Sequence, residues 1–123
     1  MTTWVGDLPP RTPTPDRRRG HARRPWPNDC HRQATRYALA HEDAVLVQAD
    51  AGPYGLAHSW VELPEGVAYD GTSGGSYDLA AYRDRVAPIR REHRFTHAEV
   101  TAKLAATGRY ADYRDQAAMI NNR

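Results

Sequence analysis

From Leu56 to Leu63 the chain alternates, with Leu56, His58, Trp60 and Glu62 on one side and Ala57, Ser59, Val61 and Leu63 on the other. That period of two predicts a β-strand. Pro64-Glu65-Gly66 is a hairpin turn signal, and Val67-Ala68-Tyr69-Asp70 returns as the next strand, antiparallel to the first. If Leu63 pairs with Val67 across the short turn, Asp70 falls opposite Trp60 and diagonal to His58. Upstream, the short β-branched run Ala44-Val45-Leu46-Val47-Gln48-Ala49 predicts a buried strand, and Asp50-Ala51-Gly52-Pro53-Tyr54-Gly55 a turn or loop.

The period changes on either side of this core. Ala34, Tyr37, Ala38 and His41 recur at helical spacing in a run that Cys30 begins and that Asn28 or Asp29 can cap. Its apolar face is narrow and rich in alanine, which suits close approach to a sheet in the middle of a domain. After the loop Gly71-Thr72-Ser73-Gly74-Gly75, a second helix is expected from Ser76 through Leu79, Tyr82, Arg83 and Val86, stopped by Pro88. A third opens on the capping box Thr96-His97-Ala98-Glu99, buries Val100, Leu104 and Ala105, and ends at Gly108. The tail from Tyr110 has some helical spacing and little apolar content. The pattern predicts an α+β fold in which a Cys-bearing N-terminal helix packs on a small antiparallel sheet and further helices follow.

A chain of 123 residues fills one domain. Six arginines against two aspartates put residues 1–27 near +4, and the chain's net +2 then leaves the remainder near −2. The same segment holds Pro9, Pro10, Pro13, Pro15, Pro25 and Pro27, a density that favours extended, solvated chain. Residues 1–27 are therefore expected to be a flexible basic arm and residues 28–123 the single domain. Arg17, Arg18, Arg19, Arg23 and Arg24 supply a possible contact for a polyanion, although a charge run without aromatic interleaving is more often a solvated tail. No stretch has the length of apolar sequence that a membrane span needs, and the start has no secretory hydrophobic region. A cytoplasmic protein is expected.

Cys30 is the single cysteine, which excludes an internal disulfide framework and a Cys-rich zinc site. His41, His93 and His97 lack metalloenzyme spacing, so neither a metal nor a cofactor is expected. Gly74-Gly75 lacks the strand-to-helix pattern of a phosphate loop. A thiol at a helix start, an imidazole on a strand and a carboxylate on the next strand are the parts of an activated cysteine nucleophile. A free thiol has a pKa near 8.5, and the positive end of a helix together with a neighbouring imidazolium favours the thiolate. Asp70 would orient the His58 imidazole, while Asn28, Gln33 and the N–H of His31 are candidates to bind the oxyanion or substrate. Trp60 is a candidate wall for the same site. Taken singly, each feature has a plainer reading: a buried small hydrophobe for Cys30, a satisfied strand histidine for His58, a turn aspartate for Asp70. Their occurrence in triad order within about 40 residues is what favours the chemical one. The His31 side chain is expected to point away from Cys30 and to be exposed.

Asn28-Asp29-Cys30-His31-Arg32-Gln33-Ala34, then Leu56-Ala57-His58-Ser59-Trp60-Val61-Glu62-Leu63, then Val67-Ala68-Tyr69-Asp70-Gly71-Thr72 resemble the transglutaminase-like branch of the papain-like superfamily. The form C-x-x-x-A, H-A-W-V-E and D-x-T of small bacterial and phage members is similar, and the stretch around His58 also resembles lasso-peptide leader peptidases. Ser59 stands where the common residue is Ala, and Gly71 where many relatives have Pro. The resemblance implies Cys30 as nucleophile, His58 as general base and acid, and Asp70 as orienter. It also implies a thiol-dependent hydrolase or acyltransferase acting on a peptide or amide bond, with a peptide or protein as substrate. The alternative is a catalytically inactive binding module of the same fold that docks on a peptide, nucleic acid or larger assembly through the basic arm.

Overall fold

The computed structural model describes residues 29–114. The arm, with Arg17, Arg18, Arg19, Arg23 and Arg24, lies outside the described residues, as do Asn28 and the end of the chain. Eight elements follow one another: α1 (Cys30–Leu39), β1 (Val45–Ala51), β2 (Leu56–Leu63), β3 (Val67–Asp70), β4 (Ser76–Asp78), α2 (Leu79–Val86), β5 (Ile89–Phe95) and α3 (His97–Thr107). The strands form one antiparallel sheet in the order β4-β3-β2-β1-β5, so the fold is α+β. No helix among the described residues is long and apolar enough to cross a membrane.

The hairpin register is the one the turn dictates: Leu63 pairs with Val67 and Trp60 with Asp70. Both faces of the sheet are covered, because the alternating strands divide their apolar side chains between them. On one face Leu46, Val61, Leu63 and Tyr69 pack with Ala34, Tyr37 and Ala38 of α1 and Val100 of α3. On the other, Val47, Ala49, Trp60 and Ala68 pack with Tyr82 and Val86 of α2. Trp60 and Tyr82 are fully buried, each contributing on the order of 2 kcal/mol through apolar area removed from water.

Four elements differ from the sequence reading. The second helix begins at Leu79 rather than Ser76, since Asp78 is its N-cap and accepts from Ala81 N–H at 3.0 Å. Ser76 and Tyr77 pair instead with Tyr69 and Ala68 as the edge strand β4. β1 runs on through Asp50 and Ala51, residues expected in a loop. β5 arises where the pattern predicts no element, so the later helices do not simply follow the sheet: the chain returns to it between them. The sequence Ile-Arg-Arg-Glu-His-Arg-Phe shows no apolar alternation because it is an edge strand, buried only at Phe95. Its register shifts between Gln48 and Asp50, next to Arg91, whose φ of 54° is the local kink expected of a bulge. The α3 capping box is present in full, and Gly108 ends that helix in the left-handed conformation with φ 72°.

Candidate active site

The unequal lengths of β2 and β3 build the site. β1 pairs with β2 as far as Leu56, but β3 stops at Asp70, opposite Trp60. His58, two residues nearer the start of β2, thus lies beyond the end of its neighbouring strand. The start of α1 comes in at this point: a Cβ on Gly71, the residue after β3, would fall 2.5 Å from the Cys30 carbonyl oxygen and 3.0 Å from its Cα. A residue without a side chain lets the helix start reach the end of the strand, which brings Cys30 close enough to raise the pKa of His58. Cys30, His58 and Asp70 retain 6%, 2% and 0% of their exposure.

His58 and Asp70 share the face of Trp60. Nε2 of His58 lies 3.0 Å from Asp70 Oδ1 and 2.8 Å from the Tyr82 hydroxyl oxygen, while the Tyr82 hydroxyl donates to the same Asp70 oxygen at 2.7 Å. With the Tyr82 proton spent on Asp70, Nε2 is the donor to both oxygens. The other carboxylate oxygen, Oδ2, accepts the Ser73 N–H at 2.8 Å. Burial alone would lower the His58 pKa, but the hydrogen bonds and charges of Asp70 and Cys30 prevail and raise it to about 9. For Asp70 burial acts upward, and the His58 hydrogen bond and charge, with the Tyr82 and Ser73 donors, take it below the ordinary value. The Tyr82 hydroxyl is pushed well above 10 by burial and by the Asp70 charge, so it stays a donor. Trp60 closes the back of the site, its ring 5.7 Å from His58 and 5.6 Å from Tyr82, with Nε1 donating to Glu62 at 2.9 Å.

The remaining candidates are placed differently. Gln33 is buried and its Nε2 donates to Asp29 Oδ2 at 3.0 Å, which braces the helix start. His31 is half-buried rather than exposed, and its Nδ1 is hydrogen-bonded to the Ser59 hydroxyl. Burial holds its pKa below the ordinary value and the nearby His58 charge lowers it further, against the pull of Asp112. Ser59 Oγ in turn accepts from Gln48 Nε2 at 3.1 Å. Gln48 also donates to the Ala111 carbonyl at 2.9 Å and accepts the Tyr113 N–H at 2.7 Å.

No protein-family model, curated protein or solved structure matches this chain significantly. Its function is therefore argued from the geometry and the residues themselves. Among these, sequence reasoning missed Tyr82, which lies 12 residues after Asp70 on α2. Its helical spacing with Val86 marks it as core, and only the packing of α2 on the sheet turns its hydroxyl to the His58–Asp70 pair.

Proposed function

We propose that the protein is a thiol-dependent hydrolase or acyltransferase of papain-like, transglutaminase-like architecture, acting on a peptide or amide bond. The observation that carries this is one imidazole, His58, held through Nε2 by a buried carboxylate while a thiol at a helix start acts on the same ring and raises its pKa. The motifs around Cys30, His58 and Asp70 add to it. In this reading Nδ1 of the charged His58 ring holds the proton of the thiol in a thiolate–imidazolium pair, and the thiolate attacks the carbonyl carbon. The first-turn N–H groups of α1, which Asp29 does not cap with its side chain, receive the oxyanion. Nδ1–H then passes its proton to the leaving amine as the C–N bond breaks. A water or a second amine attacks the thioester, gives its proton to Nδ1, and regenerates the thiol. Asp70 and Tyr82 hold the ring for both transfers, and Asp70 stabilises its charged form.

Iodoacetamide tests the nucleophile. Alkylation of Cys30 is expected well below pH 8.5, at a rate that falls about tenfold or more in His58→Ala. A Cys30 that reacts with the rate and pH dependence of a free thiol, or does not react, overturns the enzyme reading and leaves the docking module. Peptide fragments released from a peptide library by the wild type and absent with Cys30→Ala would identify the bond.

A further inference from the structure

An open cleft of about 500 Å³ lies at the start of α1, lined there by Asp29, His31 and Arg32 and by Gly108, Arg109 and Tyr110 where α3 ends. Asp29 and His31 flank Cys30 in the chain, so the cleft and the residue assigned as nucleophile share the first turn of α1. Its charges are unequally satisfied. Arg32 lies over the Tyr110 ring, 5.6 Å from its centroid, and its Nε is 3.6 Å from Asp29 Oδ1. Asp29 is further occupied by Gln33. Arg109 makes hydrogen bonds through its backbone only, to Thr107 and Tyr113, and its guanidinium has no carboxylate partner among the described residues.

His31 adds an imidazole to the wall of the cleft. Its Nδ1 is hydrogen-bonded to the Ser59 hydroxyl, whose oxygen also accepts from Gln48 Nε2 at 3.1 Å. The cleft therefore offers one guanidinium without a carboxylate partner among the described residues, a second placed over an aromatic ring, and an imidazole. The single carboxylate on its wall is already paired.

Resting on the thiol-acyl-transfer reading, we propose that this cleft is the subsite that takes a carboxylate of the peptide substrate, with Arg109 as its cation and the His31 imidazole on its wall. A monoanion fits better than a phosphate dianion, because Asp29 offsets one of the two arginines. The planar guanidinium fork matches the two oxygens of a carboxylate, and the positive start of α1 reinforces it. A carboxylate bound there sets the register of the chain that passes Cys30, so the subsite determines specificity.

Titration of the ¹⁵N-labelled full chain, followed by NMR, tests this without relying on thiol chemistry. N-acetylglutamate α-amide presents only a side-chain carboxylate, N-acetylglutamine only a terminal one, and N-acetylglutamine amide none. Saturable shifts at His31, Gly108, Arg109 and Tyr110 are expected with one or both charged probes and not with the neutral one. The probe that binds distinguishes an acidic side chain from a chain end. Affinity is expected to fall about tenfold or more in Arg109→Gln, which removes the charge and the guanidinium fork, with the rest of the spectrum unchanged. Unmoved signals, equal shifts with the neutral probe, or undiminished affinity in Arg109→Gln overturn the subsite. The same titration of Cys30→Ser separates the two readings. Binding there stands even if the thiol proves inert, and failure of the probes to bind leaves the alkylation result untouched.

Discussion

Gly71 abuts the backbone of Cys30 so closely that a methyl group on it would lie 2.5 Å from the Cys30 carbonyl oxygen and 3.1 Å from the Ala34 nitrogen. None of these neighbours is a movable side chain. The residue after β3 thus sets how near the helix start can come to the strand end, and through that the meeting of Cys30 with His58.

Gly71→Ala is expected to destabilise the protein by about 1–3 kcal/mol, the ordinary cost of overpacking a closed contact, and to lower the alkylation rate of Cys30 by moving α1. Urea denaturation and iodoacetamide kinetics on the same variant check both. Unchanged stability and unchanged reactivity together would refute the role given to Gly71.

Tyr82→Phe keeps the ring that packs against Trp60 and Tyr77 and removes the hydroxyl from Asp70 and His58. A loss of about 1–2 kcal/mol is expected, since two buried polar groups each lose a partner but retain one another. Because Tyr82 helps hold Asp70 low, the acid unfolding midpoint of the variant should move to higher pH. An acid midpoint identical to wild type would show that the Tyr82 hydroxyl does not act on the pair.

The His58 proton links stability to pH. Its pKa is raised from 6.5 to about 9 on folding, so the stability it supplies is complete below about pH 6.5 and is lost as pH rises through about 9. A shift of that size corresponds to about 3 kcal/mol for a fully buried group. Asp70 is displaced the other way: its contribution is present above the ordinary carboxylate value and is lost as pH falls through its lower folded value. Urea midpoints measured from pH 6 to pH 10 should decline most steeply near pH 7 to 9, and the decline should be smaller in His58→Gln. A flat profile in the wild type would contradict the raised value.

Gln48 ties residues 111–113 to the middle of β1. Gln48→Leu removes three hydrogen bonds and orphans the buried Tyr113 N–H, so a loss of about 2–4 kcal/mol is expected. Hydrogen exchange at Tyr113 should quicken far more than at Val61, which β1 and β3 still hold. Equal protection at Tyr113 in both proteins would rule out the tether.

Alternation and turn chemistry by themselves determined the centre of this protein. Leu63 and Val67 flank a short turn, and pairing them across it carries Asp70 by antiparallel counting to Trp60 and toward His58, the register the structure has. The Thr96–Glu99 cap and the stop at Gly108 were equally legible, because a cap is a local bond between residues three apart. β5 was not legible: an edge strand need bury little, so its charged sequence carries no period. The same limit hid the surroundings of the site. Tyr82 reads as one more apolar helix position, Gly71 as one more loop glycine and His31 as a solvated neighbour of Cys30. Their parts depend on which side of the sheet α2 covers, on where β3 ends, and on the Gln48–Ser59 chain that turns one imidazole. Those are contacts between segments distant in sequence, formed by packing that no local pattern encodes, and only the tertiary structure decided them.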